Sequence, residues 1–255
     1  MKKAFRHNPR GFTLLELLVV VAIIALLATL VTGALVKVRN TSRCVACMSN
    51  LKTVSQEFFQ FADDYAKSYR GDSDRYGSKM FRLEDFQEKL YGIHEFWKDK
   101  TRSEVEYRVM EQPLMCPSAE KPLVKRKDLA CSQNAVAPIA NVSIGFNMRL
   151  DQVSTVIQGW PRLQRTRLTS RILEQSQVPL AFGVEGALAE RQGVLPYYSA
   201  PSAGDTGPYG SGRFWFPSFR HGPQMNVAYI GGHVLRMPDP GQSAKTIWKY
   251  QPPLQ

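Results

Sequence analysis

The run from Leu17 to Val36 contains no charged residue, and it constrains the fold more strongly than any other feature of the chain. A helix of about 20 apolar residues spans the ~30 Å hydrocarbon core of a bilayer. The chain has 255 residues, so the part beyond this run is long enough for one sizeable domain with its own core. Glu16 stands at the start of the run, where a carboxylate is costly unless something pairs with it.

Two simple interpretations of the N-terminus leave features unexplained. A cleaved secretory signal has a basic start, an apolar centre of about 7–15 residues and a cleavage site of small residues. The basic start is present, and Thr32 and Ala34 are small enough for a cleavage site. The apolar run is too long for a signal of this kind, however, and Glu16 interrupts its beginning. A plain signal anchor explains the length of the run but not Glu16.

The segment "KKAFRHNPRGFTLLELLVVVAIIALLATL" resembles the start of type IV pilins and type II secretion pseudopilins. The resemblance rests on Gly11, Phe12 and Glu16 at fixed spacing before the apolar run. It implies a leader over residues 1–11, cleavage between Gly11 and Phe12 by a prepilin peptidase, and methylation of the new amine. It also implies a membrane and filament-core helix over residues 12–37, and an extracytoplasmic domain over residues 38–255.

The resemblance suggests a role in assembly for Glu16. Cleavage leaves a positive amine on Phe12, and Glu16 of one subunit would pair with the amine of its neighbour in a filament. Buried ion pairs fix register better than they add net stability. The simpler alternative is that Glu16 lies at the level of the lipid headgroups and serves no assembly function.

The apolar periodicity predicts that the N-terminal helix continues to about Lys67. Neither Pro nor Gly occurs between Val36 and Arg70, and one apolar stripe repeats every three or four residues. The stripe consists of Cys44, Cys47, Leu51, Val54, Phe58, Phe61 and Tyr65. A second amphipathic helix is predicted over residues 82–98, and a short one over 102–111.

The C-terminal half has the pattern of β-structure. Residues 179–185 form a strand candidate, and "MNVAYIGGHVLRM" predicts a hairpin with Gly231 and Gly232 as a two-residue turn. Residues 186–219 are predicted to form a long loop, because they are rich in Gly, Pro, Ser and aromatic residues. The predicted fold is therefore α+β and pilin-like, with a long N-terminal helix packed on a small antiparallel sheet and with helices and a loop inserted.

A second resemblance covers the tail. Some pseudopilin-like proteins carry a His, nine residues and then Asp-Gly, together with a Cys before "NL" on the long helix and a later "CPS". Here "CMSNLK" begins at Cys47, "CPS" begins at Cys116, and His221 precedes Gly231-Gly232 at the matching distance. Gly231 replaces the Asp, which puts in doubt any chemistry proposed for that motif.

The four cysteines are Cys44, Cys47, Cys116 and Cys131. An even number in an exported chain favours disulfides. Cys47 with Cys116 is the preferred pair, because the helical stripe faces the domain and the second resemblance contains both residues. A second bridge, free thiols or a four-thiolate zinc site remain alternatives.

No metal or other cofactor is predicted. His221 and His233 lack nearby carboxylates, and a metal site needs three or four converging ligands. A hydrogen bond from His221 to the backbone is expected instead.

The net charge of +11 falls to +7 once the leader is removed. No nucleic-acid-reading motif accompanies it, so no nucleic-acid partner is expected. The sequence contains no Gly-rich phosphate loop, nucleophile elbow or paired carboxylates, and an enzyme is not predicted.

The predicted function is a structural subunit of a type IV pilus or a type II secretion pseudopilus. The subunit would be a single-pass inner-membrane protein with its C-terminal domain outside the cytoplasm. Its expected partners are the prepilin peptidase, other pilin subunits and membrane lipid. The alternative is an anchored extracytoplasmic module that binds carbohydrate or protein through residues 196–219 and does not polymerise.

Overall fold

The computed structural model describes residues 13–67, 73, 77, 79–91, 113–119, 143–157, 159–185 and 217–238. The chain divides into two compact units, residues 1–42 and residues 43–255. The first helix, α1, spans Leu14–Lys67 and contributes to both units. Its end at Lys67 confirms the length predicted from the apolar stripe.

The described part of the first unit is the N-terminal portion of α1. Its apolar side chains are exposed throughout, and the helix is long and apolar enough to cross a membrane. Ala, Leu, Ile and Val side chains surround the helix without forming a polar face, which is typical of a helix that contacts lipid or other apolar helices along its whole circumference.

The second unit contains small antiparallel sheets. Strands β2 (Ile144–Phe146), β6 (Pro179–Gly183), β7 (Met225–Tyr229) and β8 (Val234–Met237) form a four-stranded sheet in that order. Strand β1 (Met80–Phe81) pairs with β5 (Leu168–Thr169), and β3 (Gln152–Ile157) pairs with β4 (Trp160–Arg165). A short helix, α2, spans Leu83–Tyr91. This architecture is the α+β fold predicted from the sequence.

The hydrophobic core of the second unit lies between the outer part of α1, α2 and the four-stranded sheet. Leu51, Val54 and Phe58 of α1 are fully buried in it, as the helical stripe predicts. Strands β2, β6 and β7 are buried at every described position, which fits their continuous apolar runs. The Ser55 hydroxyl donates a hydrogen bond to the Tyr229 carbonyl and so ties α1 to β7.

Several predicted elements lie partly or wholly outside the described residues. Helix α2 begins one residue after its predicted start, and residues 92–98 of its predicted length are not described. The predicted helix over residues 102–111 and most of the loop over residues 186–219 likewise lie outside the described residues. The strand predicted over residues 179–185 is confirmed as β6.

The β7–β8 hairpin is confirmed, but its predicted two-residue turn is wrong. The Tyr229 N–H donates to the His233 carbonyl, so the loop has three residues, Ile230, Gly231 and Gly232. Gly232 has φ +84° and its N–H donates to the Tyr229 carbonyl. This is the three-residue hairpin in which a turn is followed by one left-handed residue, a position that favours glycine.

Candidate functional site

The beginning of α1 is held by a reciprocal pair of hydrogen bonds. The Thr13 backbone N–H and hydroxyl each donate to Oε2 of Glu16 at 2.9 Å, and the Glu16 N–H donates back to the Thr13 hydroxyl at 3.3 Å. This is a capping box, which satisfies N–H groups that a helix start leaves without partners. The "TLLE" pattern carries this signature, which the sequence analysis overlooked. Gly11 and Phe12 lie outside the described residues.

A second site lies in the larger unit, where Cys47, Cys116 and His221 meet. Cys47 is buried on α1, Cys116 is buried in the segment 113–119, and His221 is half-buried in the turn before β7. The imidazole Nε2 of His221 lies 3.0 Å from Sγ of Cys116. The two sulfurs and an imidazole nitrogen all lie within 4.8 Å of one another.

Backbone contacts fix the position of Cys116. Its N–H donates to the Ser143 hydroxyl at 2.6 Å, and that hydroxyl donates to the Leu114 carbonyl. Asn50 of α1 donates from Nδ2 to the Met115 carbonyl at 2.8 Å. These bonds anchor the segment to both α1 and the edge of β2, so the Cys116 thiol is directed at Cys47.

The turn that carries His221 is also anchored. Nε of Arg220 forms an ion pair with Oε1 of Glu185 at 2.9 Å, and the guanidinium also donates to the Val184 carbonyl. Arg236 of β8 donates to the His221 carbonyl at 2.8 Å. Gly222 follows with φ +113°, a conformation that L side chains rarely adopt, and allows the chain to turn into β7.

The electrostatics of the site favour one thiolate. The hydrogen bond between the two thiols raises the pKa of Cys47, and burial raises it further. The same bond lowers the pKa of Cys116, and His221 and the positive charge of Arg220 act in the same direction. Burial opposes this lowering of the Cys116 pKa, and the arrangement favours the thiolate form at Cys116 over that at Cys47.

Asn226 of β7 borders the same site. It lies beside Cys47 and favours the thiolate form of that residue. Its side chain is buried at 2% exposure, and although it lies within reach of the Cys47 sulfur, neither its Nδ2 nor its Oδ1 completes a hydrogen bond of normal geometry within the described part of the chain. A buried amide without partners is costly.

The structure assigns the predicted site residues to different places. It brings Cys47, Cys116 and His221 together. Cys44 is half-buried one turn earlier on α1 and lies outside this group, and Cys131 is not among the described residues. Cys44, Cys47 and Cys116 are free thiols. The ring of His221 contacts the Cys116 thiol through Nε2, and the expected hydrogen bond from His221 to the backbone stays a prediction.

His233 and Gly231 both lie in packing contacts. The His233 ring stacks on Tyr229 with ring centroids 4.5 Å apart. A Cβ on Gly231 would lie 2.8 Å from Cβ of Ser176, closer than real Cβ contacts. The hairpin therefore packs closely on Ser176 and leaves no room for a side chain at Gly231.

Comparison with known proteins gives one match. The prokaryotic N-terminal methylation motif matches residues 6–32. No curated protein and no solved structure matches the chain. The motif includes Gly11, Phe12 and Glu16, and it supports a pilin-like or pseudopilin-like protein that is processed by a prepilin peptidase and anchored by its N-terminal helix. The resemblance of the tail to the His-x9-Asp-Gly group stays a prediction.

Proposed function

We propose that this chain is a structural subunit, a pilin or pseudopilin, of a type IV pilus or a type II secretion pseudopilus. The observation that carries the proposal is the N-terminal methylation motif over residues 6–32, which runs directly into α1. The subunit is cut between Gly11 and Phe12, methylated on Phe12, and assembled through the N-terminal half of α1. Its role is mechanical rather than catalytic.

The surface of α1 supports this role. Apolar side chains from Leu14 to Val38 are exposed on all sides of the helix. A contiguous apolar surface of this extent needs lipid or another apolar surface to cover it. Before assembly the bilayer covers it, and in a filament the helices of neighbouring subunits would replace the lipid.

Glu16 then serves two functions at different stages. In the single chain its Oε2 closes the capping box with Thr13. No described residue donates to Oε1, so this oxygen is available to the amine of a neighbouring subunit. Cleavage places that amine on Phe12, and the pair neutralises two charges that an apolar filament core would otherwise exclude.

Intact mass of the protein isolated from membranes tests the processing step. The mature chain should lack Met1–Gly11 and carry one methyl group on Phe12. Gly11→Val should block both changes, whereas Gly33→Ala, which alters a glycine further along α1 with open space around it, should leave them intact. A wild-type mass that retains the leader, or a cut near Ala34, would contradict the proposal.

Shearing of cells tests assembly separately. A subunit that polymerises should enter the sheared filament fraction, and the uncleaved Gly11→Val variant should remain in the membrane. A correctly cleaved protein that stays in the membrane, even when coexpressed with a complete assembly machinery, would instead identify an anchored module that does not polymerise.

A further inference from the structure

Cys47, Cys116 and His221 are distant in sequence, yet three anchored segments direct them to one point. Their ligand atoms lie within 4.8 Å of one another. Thiolate sulfur and imidazole nitrogen are the ligands that zinc prefers in proteins. We propose that these three residues bind one Zn²⁺ ion and that a water molecule completes its tetrahedral coordination. This site is independent of whether the chain polymerises.

The distances fit an ion with little rearrangement. Zinc lies about 2.3 Å from sulfur and about 2.0 Å from nitrogen, which separates two such ligands by about 3.6 Å in a tetrahedral site. Nε2 of His221 and Sγ of Cys116 are now 3.0 Å apart. The ion therefore needs their separation to widen by about 0.6 Å. His221 is half-buried in a turn and can make this movement, whereas the buried cysteines stay in place.

The charges also balance. Binding of Zn²⁺ displaces the Cys47 proton to solvent. The two thiolates then neutralise the ion, so the occupied site carries no net charge. Arg220 is the nearby cation, and its ion pair with Glu185 at 2.9 Å offsets its charge. Binding therefore places no unpaired charge in the core.

The buried side chain of Asn226 provides a second observation that points to a ligand. Its amide is buried within reach of the Cys47 sulfur, and neither its nitrogen nor its oxygen completes a hydrogen bond of normal geometry within the described residues. A water in the fourth position of the ion would accept from or donate to this amide. Such outer hydrogen bonds commonly orient the ligands of a metal site, and here the bond would also remove a buried unsatisfied group.

The disulfide predicted from the sequence would use the same two sulfurs, so it is the direct alternative. A Cys47–Cys116 bridge would leave the His221 ring against a disulfide sulfur, a poor hydrogen-bond partner, and would leave Asn226 unsatisfied. A zinc ion uses all four side chains. The arrangement of His221 and Asn226 is the reason to prefer the metal.

Metal analysis of the full chain in detergent tests the proposal. Wild-type protein, reduced, supplied with zinc and then desalted, should retain about one zinc per chain, measured by mass spectrometry of the metal. Cobalt should give the absorption of a tetrahedral thiolate complex. Cys47→Ser, Cys116→Ser and His221→Gln should each lose stoichiometric zinc, and Asn226→Leu should weaken zinc binding by about 10–100-fold.

Two matched controls come from the chain itself. Cys44→Ser alters a thiol one helical turn from Cys47, and His233→Gln alters the other histidine of the tail. Both should retain wild-type zinc. If the cysteine variants fail to fold, the comparison of His221→Gln with His233→Gln still shows whether His221 binds the zinc ion. Absence of stoichiometric zinc in reduced wild-type protein, equal zinc in the two histidine variants, or a Cys47–Cys116 disulfide in protein isolated from cell envelopes would overturn the proposal.

Discussion

The Thr13 hydroxyl and the Glu16 carboxylate bond to each other across the first turn of α1, with Thr13 donating at 2.9 Å and the Glu16 N–H returning a bond at 3.3 Å. The carboxylate therefore has a partner within the single chain. This changes how a Glu16 variant must be interpreted, because Glu16→Ala removes both the helix cap and the charge proposed for assembly.

Glu16→Gln separates these two functions. Glutamine can replace glutamate in a capping box, so the helix start should be retained, and the loss of a charge should favour membrane insertion. An unpaired Phe12 amine buried in a filament would cost about 3–5 kcal/mol per subunit. Glu16→Gln should therefore insert and be cleaved normally, but filament yield in the sheared fraction should fall to background.

Thr13→Ala is the converse variant. It removes the cap, which costs about 0.5–2 kcal/mol of helix stability, and it keeps the carboxylate. Filament yield should remain close to that of wild type. If Glu16→Gln keeps the filament yield of wild type while Thr13→Ala loses it, the capping box rather than intersubunit pairing explains Glu16.

Two adjacent phenylalanines on α1 test the packing of the larger unit. Phe58 is fully buried, and its ring lies edge-on to Phe86 with centroids 5.2 Å apart, whereas Phe59 is 52% exposed. Phe58→Ala should lower the free energy of unfolding by about 3–5 kcal/mol, because it opens a cavity between α1 and α2. Phe59→Ala should change it by less than about 0.5 kcal/mol. Chemical denaturation followed by circular dichroism measures both, and similar losses would contradict the packing.

A buried ion pair between α2 and β4 gives a fourth prediction. Glu84 is 1% exposed and its Oε2 accepts a hydrogen bond from Nη1 of Arg165 at 2.7 Å. Arg165→Met should destabilise the protein by about 3–5 kcal/mol, because it leaves a carboxylate buried beside an apolar side chain. The double variant Glu84→Gln with Arg165→Met should be more stable than Arg165→Met alone, since the buried side chain at position 84 is then neutral. A double variant no more stable than the single one would show that the loss does not come from the charge of Glu84.

The elements of the fold were predictable where a single periodicity dominates. The stripe through Leu51, Val54 and Phe58 identified the buried face of α1 because each residue follows the last by three or four positions. The strand at residues 179–183 followed from its apolar run between turn residues. The two-residue turn predicted at Gly231-Gly232 is wrong because the loop also includes Ile230. The Ile230 N–H donates to the Val178 carbonyl, a contact with a distant segment that no local pattern reports.

The candidate site was only partly predictable, for a related reason. The stripe indicated that Cys47 faces the core, and the structure buries it. The meeting of Cys116 with His221 depends on contacts between residues more than 100 positions apart, which no local pattern reports. Asn226 could not be singled out, since an asparagine within an apolar strand gives no sign that its amide will lack a partner.

The last prediction concerns Gly231, where a side chain has no room. A Cβ at this position would lie 2.8 Å from Cβ and 3.0 Å from the carbonyl oxygen of Ser176, to which the Gly231 N–H donates at 3.2 Å. Gly231→Ala should therefore cost about 1–3 kcal/mol of stability as an overpacked contact, and Gly231→Asp, the residue of the resembling group, should cost more. Gly232→Asn is the comparison, because Gly232 has open space but φ +84°, so its cost comes from backbone strain rather than overpacking. That cost should be the smaller one, since asparagine adopts this region more readily than other L residues do. Ser176→Gly should restore part of the stability lost in Gly231→Ala, since it removes the nearest clashing atom but not the carbonyl. Denaturation midpoints of the four variants measure these differences, and a Gly231→Ala protein as stable as wild type would show that the hairpin does not press against Ser176.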